Sequence, residues 1–138
     1  NLTKGGGGAL LREKVVAAMS ERFVVIATAD KVVHRLADTF PLPVEVVPFA
    51  IGPVTRRLEA MGFEVTERPS GHDGPYRTDN GNGMLDCRMP GGLDDPASAD
   101  VTIALLPGVP ETGLFIDMAE QALLGRDDGS VDVLRSQA

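Results

Sequence analysis

The sequence predicts an α/β fold built from two units, and three observations carry that reading. Four consecutive glycines, Gly5 to Gly8, lead into a helix-forming stretch and then a continuous apolar strand, the order of an α/β protein with a parallel sheet. The segment Pro41-Leu42-Pro43 then interrupts the pattern. Beyond it, strand and helix signals follow in the β-α-β-β-α-β order of the ferredoxin-like motif. The expected division is residues 1–40 with 108–138 as one unit, and 41–107 as a smaller α+β unit.

Each element has a local reason. Ala9 to Met19 is rich in good helix formers, with Leu11, Val15 and Ala18 on one face and Glu13 on the opposite side. Phe23 to Ala27 is continuously apolar and reads as a buried strand of a parallel sheet. Two prolines at 41 and 43 fix the backbone and withhold two donors, which suits an inter-domain connection. Val44 to Phe49 then reads as a strand. Pro53 to Met61 reads as a helix, with Val54, Leu58 and Met61 on one face and Gly62 as its stop. Phe63 to Arg68 is a second strand, Pro69 to Gly83 a polar loop, and Met84 to Met89 a third strand. Asp95 is an N-cap before Pro96, opening a helix to about Leu106. Glu111 to Ile116 closes the unit as a fourth strand. Gln121 to Leu124 and Val131 to Leu134 flank the turn Asp127-Asp128-Gly129 as a hairpin.

Composition narrows the function. Twenty acidic against thirteen basic residues give a net charge of −7, and no basic run exceeds the pair Arg56-Arg57, so a nucleic-acid partner is excluded. The apolar stretches fall far short of the ~20 residues of a membrane helix. Cys87 is the only cysteine, which rules out an intrachain disulfide and fits a reducing, cytoplasmic compartment. Five Phe, one Tyr and no Trp leave few stacking platforms and favour a small polar or phosphorylated ligand. The first residue is Asn1, and no secretory signal follows it, so the chain reads as a segment.

Glycines ahead of a helix allow close backbone approach and expose N–H groups at the positive end of the helix dipole, which suits an anion; they also suit a plain tight turn. The run lacks the Gly-Lys-Ser/Thr of a Walker A loop. Lys4, Glu13 and Lys31 surround this loop, helix and following strand end. They read either as a general base with two cations for an oxyanion or phosphate, or as three solvated surface charges. Asp79-Asn80-Gly81-Asn82 is a turn cluster without the terminal Glu of a calcium loop. His34 and His72 lie far apart with no partner at zinc spacing, so no metal is assigned. None of Ser20, Ser70, Ser98, Ser130 or Ser136 sits in a nucleophile elbow.

The stretch Lys4-Gly5-Gly6-Gly7-Gly8-Ala9-Leu10-Leu11-Arg12-Glu13-Lys14 resembles the signature of the type A ribose-5-phosphate isomerases. Further blocks follow in the same order: Phe40 to Val46, Thr78 to Asn82, Leu106 to Val109, and Gly113 to Phe115. The resemblance implies a metal-free and cofactor-free aldose–ketose isomerase, active on a small sugar phosphate in the non-oxidative pentose phosphate pathway. It implies Glu13 as the catalytic base and Lys4, Gly5, Gly6, Gly7 and Lys31 as substrate contacts. It also implies a Rossmann-like domain, here partial, carrying the ferredoxin-like unit, and a homodimer.

Such chemistry needs a carboxylate to take the proton from C2 and return it to C1, with cations or N–H groups beside the enediolate oxygen. The family's acidic Asp-Gly-Ala-Asp-Glu block and its Thr/Ser-rich phosphate loop belong upstream of Asn1. The resemblance therefore places half the site outside these 138 residues, and the isolated chain is expected to be inactive. Pro110 and Thr112 depart from the family's usual valine and asparagine or histidine, with local packing effects expected. The competing reading is a non-catalytic sugar-phosphate-binding fragment of the same fold.

Overall fold

The structure, a computed structural model, describes residues 1–71 and 74–135. His72 and Ser136 lie outside the described residues. The elements in order are β1 (Leu2–Thr3), α1 (Leu10–Met19), β2 (Val24–Thr28), β3 (Leu42–Val46), α2 (Ile51–Ala60), β4 (Glu64–Glu67), β5 (Gly83–Arg88), α3 (Pro96–Ala104), β6 (Glu111–Thr112), β7 (Leu114–Phe115), β8 (Gln121–Gly125) and β9 (Val131–Arg135). The α/β class holds.

A four-stranded antiparallel sheet runs in the order β4-β5-β3-β6, which is the ferredoxin-like arrangement of four strands separated by α2 and α3. Its central strand β3 is buried throughout. Leu42, Val44 and Val46 point one way, into a core with Val54 and Leu58 of α2, Ile103 of α3, and Leu85 and Cys87 of β5. Asp95 caps α3 as expected, accepting from the Ser98 amide at 3.0 Å.

Several expectations need correction here, among them the strand expected over Val44 to Phe49, which ends at Val46 before a helical turn at Pro48–Ala50. Leu42 and Pro43 are not linker but the first residues of β3, with Pro43 opposite Asp86 in the ladder. The expected strand Glu111 to Ile116 is two strands, β6 pairing with β3 and β7 pairing with β1. The switch falls at Gly113, whose N–H donates to Pro43 O and whose carbonyl accepts from Lys4 N, both at 2.8 Å. A Cβ there would stand 2.5 Å from the Lys4 carbonyl, so only glycine lets the two ladders converge.

Finally, β2 pairs in parallel with β8, and β9 extends that sheet as the antiparallel hairpin partner of β8. The strand is not buried: Ile26 is 81% exposed. Helix α1 likewise turns Val15 and Met19 outward and buries Leu10, with Leu11, Glu13, Lys14 and Ala17 half-buried. The expected Leu11–Val15–Ala18 stripe is therefore not the packed face. That face is set by β3 and β6, against which α1 lies, and which offer carboxylates as well as apolar groups. Among the described residues, no helix is long and apolar enough to cross a membrane.

Candidate active site

The far face of the four-stranded sheet presents Pro43, Glu45, Met84, Asp86 and Glu111, which are cross-strand neighbours. This polar face meets α1 and the glycine loop. Lys14 Nζ donates to Glu111 Oε1 at 2.6 Å and lies 4.0 Å from Asp100. It also stands 5.2 Å from the centre of the Phe115 ring. Arg12 reaches the opposite side, donating to Asn80 Oδ1 at 3.1 Å and to the Asp79 carbonyl at 3.0 Å. Glu13 is thus bracketed by two residues that fasten its helix to the larger sheet.

Glu13 itself pairs with Lys4, Oε1 to Nζ 3.5 Å, with side chains 38% and 33% exposed. Its Oε2 is buried and makes no hydrogen bond among the described residues. Glu13 is half-buried rather than fully solvated, because Val15 and Ala18 of the stripe on the other side of the helix face outward. Lys31 follows β2 at the end of the parallel pair. Its Nζ lies 3.7 Å from Asp30 and 5.0 Å from the Phe40 ring centre.

The glycine loop is a built turn. Gly8 N–H closes on Gly5 O at 2.8 Å, and both residues have positive φ, +89° and +96°. A Cβ on Gly5 would collide with Leu10, and one on Gly8 with the Tyr76 hydroxyl. Gly6 and Gly7 face open space. A cleft of about 650 Å³ runs beside the loop, walled by Lys4, Gly6, Lys31, Phe40 and strand residues of β2 and β8. Lys4, Gly6 and Lys31 therefore share one cleft. Glu13 does not line the cleft but pairs with Lys4, which does, while Gly5 lies beneath the loop and Gly7 is exposed beside Gly6.

Sequence reasoning passed over Glu45, Arg68 and Asp86. Glu45 is fully buried, and its Oε1 accepts from Thr78 Oγ1, Asn80 Nδ2 and Asn82 Nδ2 at 2.9, 3.0 and 2.9 Å. The turn cluster at 79–82 is a turn, as read, and its polar side chains serve this carboxylate. A charged residue inside the run Leu42-Pro43-Val44-Glu45-Val46 was the available signal. Arg68 forks onto Asp86, whose hydrogen bonds and charge raise the Arg68 pKa against the opposing effect of burial. Thr112 is buried and bonds to Asp100 of α3, a packing role. Among the described residues, no three His, Cys, Asp or Glu side chains gather to hold a metal.

A carboxylate paired with an ammonium beside a glycine turn is an arrangement with the chemistry to move a proton next to a developing negative charge. The family model of ribose 5-phosphate isomerase A (phosphoriboisomerase A) matches residues 1–129, and the chain belongs to that family. Ribose-5-phosphate isomerase A of Thermomicrobium roseum is 50% identical over 130 residues, 93% of this chain and 54% of that protein. The Thermosynechococcus vestitus protein of the same name is 48% identical over 126 residues, 91% of this chain and 53% of its own. The chain spans about half the length of these curated relatives. Among solved structures, ribose 5-phosphate isomerase A of Methanocaldococcus jannaschii superposes with a TM-score of 0.90 at 39% identity, covering 98% of this chain and 59% of that one. A D-ribose-5-phosphate isomerase in complex with phospho-erythronic acid gives 0.92 at 34% identity, covering 98% and 58%.

Proposed function

We propose that these residues form part of the active site of an enzyme interconverting D-ribose 5-phosphate and D-ribulose 5-phosphate. The observation that carries this is the Lys4–Glu13 couple on the glycine-loop helix, in a chain of the isomerase family. Glu13 takes the proton from C2 of the open-chain aldose as the C1 carbonyl becomes an oxyanion, leaving a cis-enediolate; the O2 hydroxyl proton passes to O1, and Glu13 delivers its proton to C1 as the C2 carbonyl of the ketose forms. Lys4 holds Glu13 in place and, with Lys31 and the loop N–H groups, stabilises the enediolate oxygen and the substrate's anionic end. Gly5 shapes the turn on which Gly6 and Gly7 approach the sugar. The sugar acid phosphate bound by the solved relative supports a phosphorylated sugar ligand.

The reading extends to organisation. Residues 1–40 with 108–138 act as the catalytic unit, lending β6 to the four-stranded sheet of 41–107, the unit that steadies it, as the anchoring of α1 through Arg12 supports. A homodimer is supported by exposed Phe49, Val101 and Leu105, and a cytoplasmic location by a single buried thiol. Incubating the full-length gene product that contains these residues with ribose 5-phosphate tests the activity. Ribulose 5-phosphate forming above the buffer rate supports it, whereas binding without turnover supports the non-catalytic sugar-phosphate-binding alternative.

A further inference from the structure

The glycine loop is held from the opposite sheet by one side chain. Arg68 Nη1 donates to the carbonyl of Gly6 at 3.0 Å, and the same guanidinium forks onto Asp86, with Nε at 2.9 Å from Oδ2. The Arg68 and Asp86 side chains are only 15% and 22% exposed, and Arg68 Cζ stacks 5.4 Å from the centre of the Tyr76 ring. Tyr76 in turn fills the space beside Gly8. A guanidinium fixed on three sides is a rigid strut, since little rotamer freedom remains to it.

The strut has a consequence for the backbone. The carbonyl of Gly6 and the N–H of Gly7 belong to one trans peptide, so they point in opposite directions. Pinning the Gly6 oxygen on Arg68 turns the Gly7 N–H away from the sheet. Gly6 and Gly7 are both exposed, and neither would meet anything within 4 Å of a Cβ position, so no side chain packs over this part of the loop. Without the pin, two successive glycines would let this peptide flip at little cost.

We propose that Arg68, held by Asp86, is a positioning residue that locks the Gly6–Gly7 peptide so that the Gly7 N–H is presented to an anionic group of the substrate. It rests on the reading of the site as a sugar-phosphate isomerase, and it assigns the preorganisation of the loop to a side chain of the other sheet. Ordering the donor before substrate arrives removes an entropic cost of binding.

The test uses Arg68→Met, which keeps the stem and removes the donors, and Asp86→Asn, which keeps the shape and removes the charge. In the wild-type protein, backbone amide order parameters of Gly6 and Gly7 should be near the rigid value of about 0.85, and in Arg68→Met should fall below about 0.6. In the full-length enzyme, KM for ribose 5-phosphate should rise about tenfold or more in Arg68→Met, with kcat within about threefold. Asp86→Asn should shift both readouts the same way by a smaller factor. Gly6 and Gly7 staying rigid in Arg68→Met, or KM staying within twofold, would overturn the strut. A wild-type protein with no turnover but a loop that loosens in Arg68→Met would overturn the isomerase reading and leave the strut standing.

Discussion

Asn82 Nδ2 donates to Glu45 Oε1 at 2.9 Å, joining the turn after β4 to the middle of the most buried strand. Three side-chain donors converge on that one oxygen. Removing the acceptor deprives three donors of their partner, the buried Thr78 hydroxyl, the half-buried Asn82 and the exposed Asn80, and the buried one is the most expensive to leave alone. Glu45→Ala should therefore destabilise the fold by about 2 kcal/mol. Glu45→Gln, which retains one carbonyl oxygen for the same donors, should cost less than half as much. Urea unfolding of both variants measures this, and equal losses would show that the cluster contributes little.

The four glycines are not equivalent. Gly8→Ala should cost about 2 kcal/mol or more, from the strain of a positive φ and the displacement of Tyr76. Gly6→Ala, in open space and without a positive φ, should stay within about 0.5 kcal/mol of wild type. Unfolding midpoints compare them, and pairing Gly8→Ala with Tyr76→Phe should recover part of the loss by removing the hydroxyl that collides.

Burial pushes the Cys87 thiol up from 9.0 to about 12, with the Asp86 charge adding to the effect. The folded protein should resist a thiolate-directed reagent at pH 8, and react fully once unfolded. Because the unfolded thiol ionises near its ordinary value while the folded one does not, this group's contribution to stability is complete below about pH 9 and declines as pH rises toward 12. A Cys87→Ser comparison isolates it: a wild type that loses no more stability than the variant over that range would contradict the assignment.

Lys31 lies at the cleft without touching Glu13, which suits a role in holding the substrate. Lys31→Met should raise KM for ribose 5-phosphate about tenfold, with a smaller effect on kcat. Steady-state kinetics at low ionic strength read the difference, and unchanged constants would make Lys31 a surface charge.

Much of this was legible in local chemistry. The N-cap at Asp95, the α2 stripe of Val54 and Leu58, and the hairpin around Gly129 depend on neighbours in sequence, and all three stand as read. Misreadings came where distant chain segments decide. Pro43 is tolerated inside β3 although it has no N–H to give, and its carbonyl still accepts from Gly113. The α1 wheel pointed its apolar stripe inward, but the surface facing it carries Glu45 and Glu111, so Lys14 turns inward while Val15 does not. The same long-range meeting hid Arg68, which lies 62 residues from the carbonyl it holds. Lys4 and Glu13 could be named from the motif, but neither their 3.5 Å separation nor the buried, unbonded oxygen of Glu13 is visible in spacing.

The most direct measurement is the turnover of Glu13→Gln in the full-length enzyme. The carboxamide keeps the shape and removes the base, so kcat should fall by about 10²- to 10⁴-fold while KM for ribose 5-phosphate changes little. A variant that isomerises ribose 5-phosphate at close to the wild-type rate would contradict the assignment of Glu13 as the residue that moves the proton.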